Sequence, residues 1–117
     1  MKLRTSTGEV YFNPQLISHV HLSPDHSLLT VHFLDRSHFG STAESDEERT
    51  FAAEFVGKLT EVNSGFIAVG HEVLNLKSAL WVAIQSEGPI QVRWADNLTR
   101  SLDGTDHRER IRNMLAE

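Results

Sequence analysis

The chain contains no cysteine. This absence excludes disulfide bonds, thiolate-bound zinc and a cysteine nucleophile, so side-chain packing must hold the fold together. The sequence also has no apolar run approaching the roughly 20 residues of a membrane-spanning helix, and its N-terminus lacks the basic-then-apolar pattern of a secretory signal. We therefore expect a cytoplasmic protein that has no membrane partner.

The motifs of the common catalytic devices are also missing. The sequence has no G-x-S-x-G elbow, no P-loop, no G-x-G-x-x-G and no H-E-x-x-H. Each of these motifs places a nucleophile, a phosphate or a metal in a defined backbone setting. We therefore expect a protein that is not an enzyme and that needs no cofactor.

Basic residues are scarce, because 11 Lys and Arg stand against 16 Asp and Glu and give a net charge of −5. Non-specific affinity for nucleic acids comes from a surplus of Lys and Arg, so nucleic acid is not the expected partner. Hydrophobic residues make up 39% and charged residues 23% of the 117 residues, a balance typical of a folded protein. This length fits one domain.

An internal repeat is visible in the positions of a few identical residues. Three of them recur at an offset of 62, so that Gly8, Asn13 and Val20 correspond to Gly70, Asn75 and Val82. Self-similarity at a fixed period indicates a repeated structural unit. We predict a single domain, 1–117, built of two repeats, residues 1–61 and 62–117.

Alternating apolar and polar residues predict an antiparallel strand pair in each repeat. In the first repeat, residues 17–22 and 28–34 flank turn-forming residues. If Val20 pairs with Val31, the apolar side chains share one face, and His19 lies opposite His32 on the other face. Residues 40–44 are predicted as a loop.

Each repeat is predicted to end in a helix. Ser45 followed by Glu48 has the spacing of a capping box, and an apolar stripe through Phe55 and Leu59 follows it. The second helix presents Ile111 and Leu115. The predicted fold class is therefore α+β, with two tandem β-rich units arranged as pseudo-two-fold antiparallel sheets or as a split barrel with two packed helices.

Two family resemblances follow from these patterns. The first repeat, from Gly8-Glu9-Val10-Tyr11-Phe12-Asn13 to the helix at Phe51-Phe55-Leu59, resembles the FlbD-type small flagellar proteins. The second repeat, from Phe66-Ile67 through Val73-Leu74-Asn75-Leu76, Val92 and Asp96-Asn97 to the last helix, resembles the C-terminal part of LytTR-type DNA-binding domains. Where that family places basic or small hydroxyl residues, this chain has Ala68, Gly70, His71 and Glu72. The resemblance therefore implies a β-rich architecture more than it implies DNA binding.

Histidines form one candidate site. His19, His21 and His32 are expected on one face of the first strand pair, and imidazoles are ligands of Zn, Ni, Cu or Fe. Side chains on one open face point roughly parallel, however, whereas a tetrahedral ion needs converging ligands. We therefore expect a solvated polar face without metal, and a metal-binding sensor remains an alternative.

A second candidate site is a group of late arginines, Arg93, Arg100, Arg108 and Arg112, which leaves a weak nucleic-acid-binding domain as a further alternative. Trp81 is predicted on the face opposite the core, where an exposed tryptophan needs a covering loop or another protein. The function predicted from the sequence is a non-enzymatic regulatory or protein-interaction module. Its expected partner is another protein or a second copy of the chain, bound through Trp81.

Overall fold

The computed structural model describes residues 1–61 and 65–116, with the backbone alone for residues 96 and 104–106. Two helices are present, α1 (Asp46–Leu59) and α2 (Gly104–Leu115). The strands in chain order are β1 (Lys2–Thr5), β2 (Gly8–Tyr11), β3 (Ile17–Leu22), β4 (Leu28–Phe33), β5 (His38–Thr42), β6 (Phe66–Val69), β7 (Glu72–Asn75), β8 (Trp81–Ala83), β9 (Ile90–Arg93) and β10 (Thr99–Leu102).

In the described part of the chain, the strands form three open sheets with antiparallel pairing throughout. One sheet has two strands, β1-β2; one has five, in the order β5-β4-β3-β7-β6; and one has three, β10-β9-β8. The predicted α+β class with antiparallel sheets and two packed helices is confirmed, and the sheets do not close into a barrel.

The register predicted for the first strand pair is confirmed. Val20 pairs with Val31, His19 with His32, and His21 with Thr30. Val20 and Val31 are fully buried. A shift of one residue would turn these apolar side chains to the opposite face, so burial of the valines fixes the register.

Helix α1 begins as its sequence predicts. The Ser45 hydroxyl accepts a hydrogen bond from the Glu48 backbone N–H at 3.2 Å, and acidic residues occupy the first turn. Phe55 and Leu59 are buried against the sheets, as expected. In α2, Ile111 is buried, whereas Leu115 is only half-buried.

The segment predicted as a loop at residues 40–44 is largely strand instead. Residues up to Thr42 belong to β5, which pairs with β4 through contacts such as Thr30 with Gly40. The prediction was wrong because the Gly-Ser-Thr composition of this segment is typical of loops. A neighbouring strand supplies the backbone hydrogen bonds that this composition does not reveal.

The five-stranded sheet separates two hydrophobic clusters. Val20, Val31 and Val73 contribute to the first cluster, which contains Phe55 of α1. The next residue along β7, Leu74, belongs to the second cluster, which contains Ile111 of α2. Because successive side chains of a strand point to opposite faces, the sheet forms the middle layer between the two helices.

The element order recurs along the chain. A hairpin, a short 3-10 helix, three strands and a helix occur once before residue 61 and once after residue 65. Asn13 and Asn75 each precede the 3-10 helix. The two hairpins differ in their pairing, because β1-β2 forms its own sheet whereas β7 adds to β3. The division into two repeats stays a prediction.

Neither helix is long and apolar enough to cross a lipid bilayer, within the part of the chain that the structure describes.

Candidate functional site

Two turns, one from each half of the chain, face each other across a cleft. The first connects β4 to β5 and contains Arg36, and the second connects β9 to β10 and contains Asn97. The space between them, here called the turn cleft, has a volume of about 340 Å³. It is lined by Ser18, His19, His32, Phe33, Leu34, Arg36, Ser37, Trp94, Ala95, Asn97 and Leu98.

Both turns hold a non-glycine residue in the left-handed region. Arg36 has φ 72° and Asn97 has φ 65°, a conformation that few residues other than glycine adopt. The first turn is fixed by the Asp35 carboxylate, which accepts the backbone N–H of Ser37 at 2.9 Å. His26 in the β3–β4 turn has φ 62° as well, so this conformation alone does not identify a functional site. The turn cleft is the candidate site because two such turns border one cavity.

The wall of the turn cleft contains stacked histidines. The rings of His19 and His32 are 4.2 Å apart between centroids and nearly parallel, at 5°. His38 lies 6.1 Å from His32 on the next strand. Ser18 Oγ lies 3.0 Å from His19 Nδ1, which helps to orient the His19 ring, and it also donates to the backbone carbonyl oxygen of His32.

Burial lowers the pKa of His19 from 6.5 to about 4, and the nearby His32 and Arg100 act in the same direction. Glu72, which pairs with Arg100, opposes this effect. Burial also lowers the pKa of His32, with a further contribution from His38. His19 is therefore neutral at pH 7 and adds no positive charge to the turn cleft, and burial favours the neutral form of His32 as well.

The three predicted histidines share one sheet face, but that face is not solvated throughout as expected, because His19 is 7% exposed beside the buried Leu74. The three side chains also do not form a recognisable metal centre. Among the described residues, no group of three or more His, Asp or Glu side chains is placed to hold a metal ion. His19 and His32 stack face to face, and His21 lies in the next row, opposite Thr30 and Glu72. Stacked rings present parallel edges and not converging nitrogens.

The four late arginines lie in different parts of the structure and have different surroundings. Arg100 Nε donates to Glu72 at 3.0 Å and links two sheets. Arg108 Nε donates to the Gln85 carbonyl oxygen at 2.8 Å and thus anchors the β8–β9 turn. Arg112 is exposed on α2, and Arg93 donates to the side-chain oxygen of Asn97. Of the four predicted residues, only Arg93 adjoins the turn cleft.

Arg36 and Asn97 were missed by sequence reasoning. Each follows an aspartate, and these aspartates, Asp35 and Asp96, recur between the two predicted repeats. That recurrence was the available signal for a pair of equivalent turns. It could not show that the turns face each other, because they are about 60 residues apart in a sequence that does not specify how its sheets stack.

Trp81 is half-exposed, at 48%, on the face of the three-stranded sheet that points away from the core. It lies opposite Arg93 on the neighbouring strand. Trp94, in contrast, is 1% exposed, and its indole N–H donates to the Asn75 carbonyl oxygen. The placement of Trp81 on the outer face agrees with the sequence prediction.

Comparisons with known proteins link the whole chain to one fold. No protein-family model and no curated protein sequence matches it. Its structure is similar to that of the LytTr DNA-binding domain of a protein assigned as a methyl-accepting/DNA response regulator from Bacillus cereus. The TM-score is 0.57 at 11% sequence identity, and the alignment covers 100% of this chain and 96% of the other. The chain therefore has a LytTr-like fold.

This finding corrects two expectations. The fold resembles that of a DNA-binding domain, which contradicts both the protein-interaction module and the exclusion of nucleic acid as a partner. Net charge misled because it averages over the surface, whereas phosphate contacts depend on local charge. None of the described side chains that line the turn cleft is acidic. The LytTR part of the sequence resemblance agrees with the structure, and nothing found supports the FlbD part.

Proposed function

We propose that this chain is a non-enzymatic regulatory domain that binds duplex DNA through the turn cleft. The observation that carries the proposal is the match of the entire chain to the fold of a LytTr DNA-binding domain. The turn cleft adds local support, because its opening is formed by side chains suited to nucleic acid. The histidine sensor and the protein-binding module have no comparable support.

The proposed contacts follow from the chemistry of the two turns. The exposed Arg36 would contact backbone phosphates, since a guanidinium can donate two hydrogen bonds to one phosphate group. The Asn97 amide is exposed and is oriented by Arg93. Amide side chains read base edges, adenine in particular. A pair of turns that project from two sheets could thus supply both backbone and base contacts.

Fluorescence anisotropy with a labelled duplex of mixed sequence tests this proposal. We expect the association constant of the wild-type protein to fall steeply with added salt. The slope of log K against log salt concentration should be about −0.9 for each phosphate contact. Arg36→Ala should lower the affinity at low salt and make this slope shallower by about one contact. Arg93→Ala should lower the affinity further, because it also releases Asn97.

Two matched variants serve as controls. Arg49→Ala removes a half-exposed arginine of α1 that pairs with Asp46, and Arg112→Ala removes an exposed arginine of α2. Both should bind DNA as the wild type does. Absence of salt-dependent binding by the wild type would overturn the proposal. A loss in Arg112→Ala without a loss in Arg36→Ala would move the interface from the turn cleft to α2.

A further inference from the structure

One face of the three-stranded sheet is not covered by either helix, within the residues that the structure describes. Its register places Trp81, Arg93 and Thr99 side by side in one row, and Ala83, Gln91 and Ser101 in the next. The alternate residues, such as Val82 and Val92, face the second hydrophobic cluster together with Ile111 of α2. The helix thus covers only one side of the sheet, and the row that contains Trp81 faces outward.

Trp81 dominates this outer face. Its side chain is 48% exposed, although an indole ring is among the largest apolar surfaces that a residue can bury. Ala83, two residues further along the strand, is too small to cover the ring. An aromatic ring left open on a flat sheet is suited to stack against another planar group.

The groups around Trp81 are cationic or neutral. Arg93 lies directly opposite it, and the remaining members of the two rows carry hydroxyl, amide or methyl groups. Leu80, which precedes Trp81, is apolar and 65% exposed, but the two rows themselves complement a phosphate backbone and are less apolar than the centre of a protein–protein interface. The outer face also continues into the turn cleft, because Arg93 donates to Asn97, which lines that cleft.

We infer that this outer face is a second nucleic-acid site, at which an unpaired base stacks on Trp81 while Arg93 contacts the adjacent phosphate. The inference rests on the proposed function, since it extends the same bound DNA from the turn cleft onto the sheet. Aromatic side chains on sheets bind single-stranded segments in this way because every base has a π-face. The ligand is therefore a duplex with an unpaired extension, and sequence preference at the extension is weak.

The test compares two DNA probes that share one duplex. One probe is blunt and the other carries a three-nucleotide single-stranded overhang. We expect wild-type protein to bind the overhang probe about tenfold more tightly, the effect of stacking one base. Trp81→Ala should lose this gain and keep the affinity for the blunt duplex. Trp81→Phe should keep part of the gain because it retains an aromatic ring. Leu80→Ala removes a neighbouring exposed side chain and should behave as the wild type does.

Tryptophan fluorescence of the unaltered protein gives an independent readout. Trp94 is buried and Trp81 is half-exposed, so quenching by acrylamide reports mainly on Trp81. The overhang probe should protect Trp81 from acrylamide, and the blunt duplex should not. Protection that instead grows with protein concentration in the absence of DNA would show that a second copy covers Trp81, and it would overturn the inference.

The outcomes separate this inference from the proposed function. Equal affinity for both probes, or a gain that survives in Trp81→Ala, would overturn the stacking site while leaving duplex binding intact. Binding of the overhang probe that depends on Trp81 but not on Arg36 would support the stacking site and contradict duplex binding in the turn cleft. Failure to bind either probe would overturn both.

Discussion

Asn75 joins the two halves of the chain through a single side chain. Its amide donates to the carbonyl oxygens of Pro14 and Ile17, both at 2.9 Å, and the residue is 3% exposed. Asn13, its predicted equivalent, is exposed and accepts the backbone N–H of Gln15. The same residue type thus caps a local turn in one half and bridges segments in the other. Repetition in sequence cannot distinguish these two uses.

His19 makes the stability of the fold depend on pH. Its pKa is lowered to about 4 in the folded protein, from an ordinary value of 6.5, so the unfolded chain binds more protons between these values. The free energy of unfolding should therefore fall as the pH drops from 6.5 to 4, by up to about 3 kcal/mol from this residue. Above pH 6.5 this residue should have no effect.

Urea unfolding at several pH values checks this expectation with the His19→Gln variant. Glutamine does not bind a proton in this range, so the free energy of unfolding of the variant should fall much less between pH 6.5 and 4 than that of the wild type. His32 contributes in the same direction, because burial lowers its pKa too, so some decline should remain. His71→Gln, at an exposed turn, is the control. An equally steep decline in His19→Gln would show that the buried imidazole is not its source.

Helix α1 is the element whose sequence and packing agree most closely. Ser45 caps its N-terminus, three acidic residues occupy its first turn, and Phe55 and Leu59 face the core. The ring of Phe55 lies 5.5 Å from that of Phe12, between centroids. This contact joins α1 to the segment that follows the first hairpin, so the helix is fixed by tertiary packing as well as by its cap.

Truncation of Phe55 should be strongly destabilising. Phe55→Ala removes a side chain that is 2% exposed and leaves a cavity, at a cost of about 3–5 kcal/mol in the free energy of unfolding. Glu54→Ala, at the adjacent exposed position, should change it by less than about 0.5 kcal/mol. Chemical denaturation of both variants measures the difference. Similar midpoints for the two proteins would show that the aromatic contacts of α1 contribute little.

The whole molecule depends on a sheet that both halves build. β7 pairs with β3 through Val73 and Val20, and both residues belong to the first hydrophobic cluster. Phe66 of β6 is part of the same cluster. The first half alone would therefore expose an unpaired strand and part of its core to water.

A fragment of residues 1–61 should not fold cooperatively by itself, for this reason. We expect narrow amide chemical-shift dispersion in its NMR spectrum and no sharp unfolding transition, in contrast to the full chain. Addition of a fragment of residues 62–117 should restore dispersion by supplying β7. A well-dispersed spectrum from the first fragment alone would instead establish that the first predicted repeat is an autonomous unit.

The sequence by itself determined the local features of this protein. Alternation set the register of Val20 with Val31, and the capping box set the start of α1. Both depend on interactions between residues that are close along the chain or directly paired across a short turn. Composition, in contrast, misled over β5, since a strand can be imposed by its neighbour. Net charge also misled, because it carries no information about fold and the fold resembles that of a DNA-binding domain.

Only the tertiary structure decided which sheets meet and what lies between them. Alternation shows which face of a strand is apolar but not which strand lies beside it, so the pairing of β3 with β7 was not predictable. The turn cleft has the same origin, because Arg36 and Asn97 come together only when sheets from both halves stack. The candidate site is thus a product of long-range packing, to which both halves of the chain contribute residues.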